Sequence, residues 1–123
     1  MADATTIQNT TENYVASGVI ANGESVSDTF KIGGRRLVKV QSPAITSATL
    51  SFLVQNTPGG DFQDLYDDEG NEVTVGSAYA TARTFIVPEL ASFYAFQIRS
   101  GTSGSPVSQG AERTFIVSAT GGK

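Results

Sequence analysis

Short apolar segments recur along this chain every eight to fifteen residues from position 14 onward, and Gly, Pro, Asn, Asp and Ser separate them. The stretch TLSFLVQ, for example, places Leu50, Phe52 and Val54 at every second position. Successive side chains of a strand point to opposite faces of a sheet, so this alternation predicts a half-buried strand. Short strands that recur with turn residues between them are typical of an all-β sandwich or barrel.

We expect nine strands, at 14–20, 26–32, 36–41, 49–55, 63–66, 72–75, 83–87, 94–99 and 113–118. Turn signals separate them at 21–25, 57–61, 68–71 and 100–106. Helical turns are expected only near 77–82 and 88–92. The chain has 123 residues, the size of one domain.

The predicted sandwich domain covers residues 13–119. Residues 1–12 are mainly polar, and we interpret them as a flexible arm. Such an arm, which contains Ile7, is able to add a strand to the open sheet edge of a neighbour through main-chain hydrogen bonds. The tail at 120–123 is also expected to be flexible.

Composition excludes several classes of function. The chain has no Cys and no His, which removes thiol nucleophiles, thiolate ligands and imidazole bases. The net charge is −4, and the only basic pair is Arg35 and Arg36, so no nucleic-acid partner is expected. The N-terminal residues lack the features of a secretory signal, and no apolar run is long enough to span a bilayer, so no membrane partner is expected.

Half of the twelve acidic residues lie in one segment, DFQDLYDDEGNEV at 61–73. They are Asp61, Asp64, Asp67, Asp68, Glu69 and Glu72. The interpretation we favour is a β-hairpin with a solvated tip, in which Gly70 supplies a positive φ and the Asp and Asn residues favour the turn. The tip residues Asp67 and Asp68 are then candidates for contact with a basic partner.

Two other interpretations of this segment stay open. An EF-hand loop fails because Gly70 at its sixth position would put Leu65 at its first, although a looser calcium site remains an alternative. A glycosidase needs two carboxylates across a cleft, and Asp64 and Glu72 would face each other in a hairpin. The chain has no Trp to stack on a sugar, so we expect no enzyme and no cofactor.

The pentapeptide RTFIV occurs at 83–87 and again at 113–117. Alternation places the Phe and Val residues of each copy on one face, and Ile86, Ile116 and the similarly placed Leu53 on the other. A wide apolar patch is uncommon on a monomer. We therefore predict that these three residues lie at an interface between copies of the chain.

The pair Arg35 and Arg36 has two interpretations. It is either a docking pair for an acidic surface or a pair of solvated cations on an edge strand. Alternation would point the two side chains to opposite faces, so at most one of them serves a given contact.

Three segments together resemble a family of small proteins encoded in the structural modules of tailed phages. The segments are GGRRLVKVQSPAITSATLSFLVQ, FQDLYDDEGNEVTV and FQIRSGTSGSPVSQGAERTFIV. The resemblance implies a jelly-roll-like antiparallel β-sandwich of about eight to nine short strands. It also implies a non-enzymatic capsid decoration or cement protein, made in the host cytoplasm, which forms homodimers or homotrimers and binds the major capsid protein on the outer surface of the virion.

Two alternatives to a capsid role stay open. One is a carbohydrate-binding module on the virion surface, because four tyrosines are able to stack on sugars. They are Tyr14, Tyr66, Tyr79 and Tyr94. The other is an accessory component of the tail or baseplate.

Overall fold

The computed structural model describes residues 2–46, 49–76 and 81–121. Within these ranges, nine strands form two antiparallel sheets. The strands are β1 (Thr5–Asn9), β2 (Asn13–Ile20), β3 (Leu37–Ser42), β4 (Leu50–Gln55), β5 (Phe62–Asp64), β6 (Thr74–Val75), β7 (Arg83–Ile86), β8 (Ala95–Ser100) and β9 (Arg113–Thr120). The helical part of these ranges is a single 3₁₀ turn at Pro88–Leu90, inside the predicted helical region 88–92.

The sheets have the strand order of a jelly roll. The first sheet has five strands in the order β1-β2-β9-β3-β7. In the second sheet, β4 pairs with β8 along one side and with β5 and β6 along the other. Segment 26–32 runs along the far side of β8 and forms isolated bridges to it. The predicted jelly-roll-like antiparallel β-sandwich is therefore confirmed.

The core lies between the two sheets and is built by the predicted alternation. On β4, Leu50, Phe52 and Val54 are all buried, as the pattern TLSFLVQ requires. The ring of Phe96 stacks on Phe30 with centroids 5.4 Å apart and meets Phe52 edge-on at 6.1 Å. This aromatic cluster joins segment 26–32 to the middle of the second sheet.

Segment 26–32 differs from the regular strand that its alternation predicts. Ser27 and Thr29, on the face opposite Phe30 and Ile32, are buried as well. Asp28 is half-buried, and its carboxylate accepts a hydrogen bond from the Val19 N–H at 3.0 Å, while its own N–H donates to the Val19 carbonyl. The segment therefore bonds to both sheets, and it closes one edge of the sandwich instead of forming one continuous ladder.

The outer side of β8 is also more buried than its alternation predicts. Phe96 and Ile98 point into the core, as expected, but Gln97 and Arg99 on the opposite side are 7% and 6% exposed. Arg99 is bonded to Asp64 and Glu72 of the acidic segment, and Gln97 donates to the Thr29 hydroxyl of segment 26–32. Local alternation reports neither contact.

The N-terminal segment is not the free arm that its polar composition suggests. Thr5–Asn9 forms β1, which pairs with β2 of the same chain through a bulge between Thr6 and Gln8. All five side chains of β1 are exposed, so apolar alternation gives no signal for this strand. Main-chain hydrogen bonds hold it instead.

At the other end of the chain, Thr120 is the last residue of β9, and the Gly121 N–H donates to the Glu12 carbonyl at 3.1 Å. The rest of the predicted tail, residues 122–123, lies outside the described residues, as does most of the predicted helical turn at 77–82. No helix in the described part of the chain has the length and hydrophobicity needed to cross a bilayer.

Candidate functional site

The acidic segment forms the hairpin that its turn residues predict. The Val73 N–H donates to the Leu65 carbonyl at 3.0 Å, and the Asp67 N–H donates to the Asn71 carbonyl at 2.8 Å. Gly70 has a φ of 84°, a value that favours glycine. The tip is exposed to solvent, so the hairpin interpretation is confirmed.

The tip is also braced from within. One carboxylate oxygen of Asp67 accepts hydrogen bonds from the N–H groups of Glu69 and Asn71, both at 2.9 Å. A short polar side chain that bonds to the backbone two or more residues ahead stabilises a turn of this kind. Asp67 therefore has a local structural role in the turn.

The two carboxylates that a glycosidase would have needed, Asp64 and Glu72, converge on one buried cation instead. Arg99 Nη1 donates to Asp64 at 2.7 Å, and Nη2 donates to Glu72 at 2.8 Å. Its Nε donates to the hydroxyl of Ser51 at 2.9 Å. The guanidinium thus joins β8 to β4, to β5 and to the acidic hairpin in one contact group, which we call the Arg99 network.

Glu72 extends this network to the loop after β8. Its carboxylate accepts hydrogen bonds from the N–H and the hydroxyl of Ser103 at 3.0 Å and 3.3 Å. The Ser51 hydroxyl, which accepts from Arg99, donates in turn to the Gly101 carbonyl at 2.8 Å. The network therefore fixes the hairpin and the 101–106 loop to the outer side of the second sheet.

This geometry gives Asp64 and Glu72 a structural task. A catalytic carboxylate must offer an oxygen to a substrate or to water. Oδ1 of Asp64 instead accepts a charge-assisted hydrogen bond from Arg99, and the two oxygens of Glu72 accept from Arg99 and Ser103. Among the residues that the structure describes, no three acidic side chains are grouped in a way that would hold a metal ion. Some acidic side chains, such as Asp67 and Asp68, are exposed at the hairpin tip, whereas Asp64 and Glu72 attach the segment to the buried Arg99.

The second buried cation overturns a prediction. Arg35, a candidate for surface contact, is only 2% exposed. Its Nη1 donates to the Ile32 carbonyl at 2.8 Å, and its Nη2 donates to the Asn9 side chain and to the Thr10 carbonyl. Its neighbour Arg36 is exposed, as a contact residue should be. Alternation put the two on opposite faces, but it did not reveal that the start of the chain covers one of them.

The aromatic ring of Tyr14 packs beside the Arg35 guanidinium. The guanidinium carbon lies 5.8 Å from the centre of the tyrosine ring, a cation–π distance. Burial raises the pKa of the Tyr14 phenol above 10.0, and the hydrogen bond from the Lys31 N–H lowers it by less. Arg35 and Tyr14 together hold the end of β1 against the body of the domain.

The three residues predicted to share an interface lie on two different sheets. Ile86 on β7 and Ile116 on β9 point outward from the first sheet, on strands that flank β3, and Ile86 is 62% exposed. Leu53 on β4 is half-buried on the outer side of the second sheet. One flat interface therefore does not contain all three, because the two sheets face away from each other.

The outer side of the first sheet has almost no charge. Outward residues alternate with buried ones on β2, β9 and β3, and on β7 the exposed Thr84 and Ile86 alternate with the half-buried Phe85. The apolar ones are Val15, Val19, Leu37, Ile86 and Ile116, and the only charged one is Lys39. The others are Asn, Ser, Thr and Gln. We call this surface the five-stranded outer face.

The remaining candidate contact residues lie apart from one another. Ile7 is 62% exposed at the bulge of β1, on one edge of the first sheet. Asp67 and Asp68 are exposed at the hairpin tip, which is attached to the second sheet.

Sequence reasoning missed Arg99 altogether. The available signal was a lone cation on the polar side of an otherwise apolar strand, in a chain whose acids are concentrated in one segment.

Comparisons with known proteins extend the description of the fold. No protein-family model and no curated protein matches this sequence. The solved structure of YomS, an SPBc2 prophage-derived protein, matches with a TM-score of 0.50 at 15% identity, over 93% of this chain and 99% of YomS. At this identity the match shows a shared fold and assigns no activity.

Two further matches are more distant. A cupin domain from Bordetella pertussis Tohama I has a TM-score of 0.42 at 11% identity, over 98% of this chain and 95% of the domain. Hydroquinone 1,2-dioxygenase from Sphingomonas sp. TTNP3 has a TM-score of 0.41 at 7% identity, over 98% of this chain and 66% of the enzyme. Scores this low carry no inference about chemistry.

Proposed function

We propose that this chain is a non-enzymatic structural protein of a phage virion, a decoration or cement protein that self-associates and binds the major capsid protein on the outer capsid. The observation that carries this proposal is the five-stranded outer face. Side chains that are apolar or uncharged hydrogen-bonding groups cover four adjacent strands there, and Lys39 is the only charged one. Interfaces between proteins are depleted of charge in the same way at their centres.

The fold and its size support a phage origin. YomS is described as prophage-derived, and it aligns with this chain over almost its whole length. Small jelly rolls are common in viral capsid proteins, although the fold alone leaves the function open. The phage assignment is therefore a proposal that agrees with the match.

Contact through the five-stranded outer face needs only modest affinity. The row formed by Val15, Ser118, Lys39 and Ile86 crosses four paired strands and presents two apolar side chains beside two polar ones. Desolvating the apolar side chains favours association, at about 25 cal/mol for each Å² buried. Many weak contacts on one shell add to a durable attachment, because each bound copy raises the effective concentration of the next contact.

The edges of the first sheet offer a second means of contact. β1 and β7 are its outermost strands, and both are short. The exposed Ile7 and Ile86 mark these two edges. A neighbouring chain that pairs with either edge would gain main-chain hydrogen bonds as well as an apolar anchor.

The test compares two matched variants in a capsid-binding experiment. Gln41 is exposed on β3 within the five-stranded outer face, and Gln63 is exposed on β5 of the other sheet. Purified wild-type, Gln41→Lys and Gln63→Lys proteins are sedimented with capsids of the parent phage assembled without this protein. Wild type and Gln63→Lys should sediment with the capsids at saturating stoichiometry. Gln41→Lys should not, because it adds a second cation beside Lys39.

Light scattering on the same samples reports self-association. Wild-type and Gln63→Lys proteins should be dimers or trimers, with Gln41→Lys shifted toward monomer. A wild-type protein that stays monomeric and remains in the supernatant when the capsids are sedimented would overturn the proposal. Binding to purified tails in place of capsids would favour the accessory tail component.

A further inference from the structure

The outer side of the second sheet contains a groove of about 470 Å³. Gln55 of β4 and Gln97 of β8 line it, together with the aromatic rings of Phe62 and Tyr94. Lys31 and Asp3, which also line it, form a salt bridge at 2.9 Å. The volume lies within the range of small-ligand sites, which are concave and combine aromatic walls with a few placed polar groups.

The two glutamines leave hydrogen-bond acceptors in the groove. Each residue as a whole is more than nine-tenths buried. Gln55 Nε2 donates to the Gly60 carbonyl at 2.7 Å, and Gln97 Nε2 donates to the Thr29 hydroxyl at 3.2 Å. These bonds fix both amides, yet neither amide oxygen accepts a hydrogen bond from a described residue. Neither amide oxygen is buried away from solvent, so both are open to accept hydrogen bonds from a ligand rich in hydroxyl donors.

The aromatic rings supply the apolar half of the site. Phe62 and Tyr94 are both half-buried, so each is held by the protein and still accessible from the groove. A second hollow of about 440 Å³, lined by Leu53, Asp64 and Tyr66, shares Phe62 with the first. The two hollows therefore adjoin, and a ligand longer than one ring is able to extend from one into the other.

The charges of the groove favour a neutral ligand. Lys31 and Asp3 neutralise each other, and Asp64 in the second hollow is paired with Arg99. The hydrogen bond to Asp3 raises the pKa of Lys31, so the ammonium group keeps its charge at neutral pH. No unpaired cation is available among the groove residues to hold a phosphate or a carboxylate.

We infer that this groove binds a neutral carbohydrate chain. An apolar sugar face packs on Tyr94 or Phe62, and ring hydroxyls donate to the free oxygens of Gln55 and Gln97. Of the tyrosines that the sequence put forward for sugar stacking, Tyr94 lies in the groove and Tyr66 in the adjoining hollow. Tyr14 is buried and Tyr79 lies outside the described residues.

The groove and the five-stranded outer face lie on opposite sheets. A copy attached to a capsid through one therefore keeps the other open to solvent. Binding of carbohydrate to the isolated chain does not depend on the proposed capsid role, and the two are tested separately. On a particle, many copies would raise the avidity for a polysaccharide surface.

The experiment is an NMR titration of the full ¹⁵N-labelled chain. The probes are neutral hexasaccharides built from glucose, galactose, mannose or N-acetylglucosamine, with a sulfated and a uronic-acid hexasaccharide for comparison. At least one neutral probe should produce saturable shifts at the side-chain amides of Gln55 and Gln97 and at the backbone of Gly59. Tyr94→Ala should weaken this binding about tenfold, and Tyr94→Phe, which keeps the ring, should bind nearly as wild type.

Two further variants separate binding from folding. Gln97→Leu keeps the size of the side chain but removes its amide oxygen, and it should also weaken binding. Glu112→Gln, an exposed position outside both the groove and the five-stranded outer face, should leave binding unchanged. The inference is overturned if no neutral probe shifts these signals, if only the charged probes bind, or if Tyr94→Ala and Gln97→Leu, with native spectra, bind as wild type.

Discussion

Arg99 and Arg35 are both buried, but they are held by opposite kinds of partner. Arg99 meets two carboxylates and a hydroxyl, so its charge is balanced and each of its three nitrogens has an acceptor. Arg35 meets neutral oxygens and the Tyr14 ring, and its Nε has no hydrogen-bond partner in the described part of the chain. The first contact group anchors the acidic hairpin to the second sheet, and the second anchors β1 to the first.

The difference shows two ways of attaching an element that has little apolar surface. Only Leu65 and Val73 of the hairpin are buried, and Ala4 is the only buried residue in the described range 2–8. Hydrophobic burial is therefore small in both elements, and polar contacts determine their position. Removing the cation from a charge-balanced network is costly, because two carboxylates are left without their partner. Removing Arg35 costs less, because the neutral oxygens that it leaves can be hydrated.

The largest effect is expected for Arg99→Met. This variant keeps the apolar stem but leaves Asp64 and Glu72 facing each other without a cation. Removing one partner of a buried ion pair costs about 3–5 kcal/mol, and we expect the lower end because Asp64 is 37% exposed. Urea unfolding measures the change. The comparison fails if Arg99→Met is less destabilising than the equivalent change at Arg35.

Arg35→Met should cost less, about 2 kcal/mol, because the carbonyls it leaves can be hydrated and its unpartnered Nε is removed as well. Its effect should also be local. Loss of the bonds to Asn9 and Thr10 should speed amide hydrogen exchange in β1 more than in β4. The matched control is the exposed neighbour, and Arg36→Met should change stability by less than about 0.5 kcal/mol.

Within the Arg99 network, Glu72→Gln should be more harmful than Asp64→Asn. The Glu72 side chain is 14% exposed and bonds to Ser103 as well as to Arg99. We expect a loss of about 1–2 kcal/mol for Glu72→Gln and below about 1 kcal/mol for Asp64→Asn, since a partly solvated pair is weak. Equal losses in urea unfolding would show that the Ser103 contact adds nothing.

The smallest effect concerns the pH dependence near Arg35. Burial raises the pKa of Tyr14, so the folded protein retains this proton to higher pH than the unfolded chain does. The stability that Tyr14 contributes is complete below the unfolded pKa of about 10 and is lost as the pH rises through the folded value. Absorbance titration should show a late-ionising phase, which Tyr14→Phe removes. A late phase that persists in this variant would contradict the assignment.

Local patterns predicted much of this fold. Alternation at 49–55 placed Leu50, Phe52 and Val54 in the core, and the turn residues around Gly70 placed a hairpin tip in water. These predictions hold because they depend on the two-residue period of a strand and on backbone sterics, both of which act over a few residues.

Predictions that depended on distant contacts fared worse. Strand β1 was not predicted, because all of its side chains are exposed and its sequence therefore has no apolar period. The burial of Arg99 on the polar side of β8 was not predicted, because nothing near Arg99 in the sequence reveals partners 27 and 35 residues away. Leu53 was grouped with Ile86 and Ile116 because alternation reports the side of a strand but not the sheet to which the strand belongs.

The sequence by itself determined the class of this protein: short alternating strands, sharp turns, and no Cys or His to support the commonest catalytic chemistry. The tertiary structure decided which polar residues are buried and which partners they bond to. It buried Arg35 and Arg99, left Arg36 in solvent, and placed Tyr94 beside two buried amides. The physical reason is that periodicity follows from the local geometry of the chain, whereas the partner of a buried charge is set by which strands the jelly roll brings together.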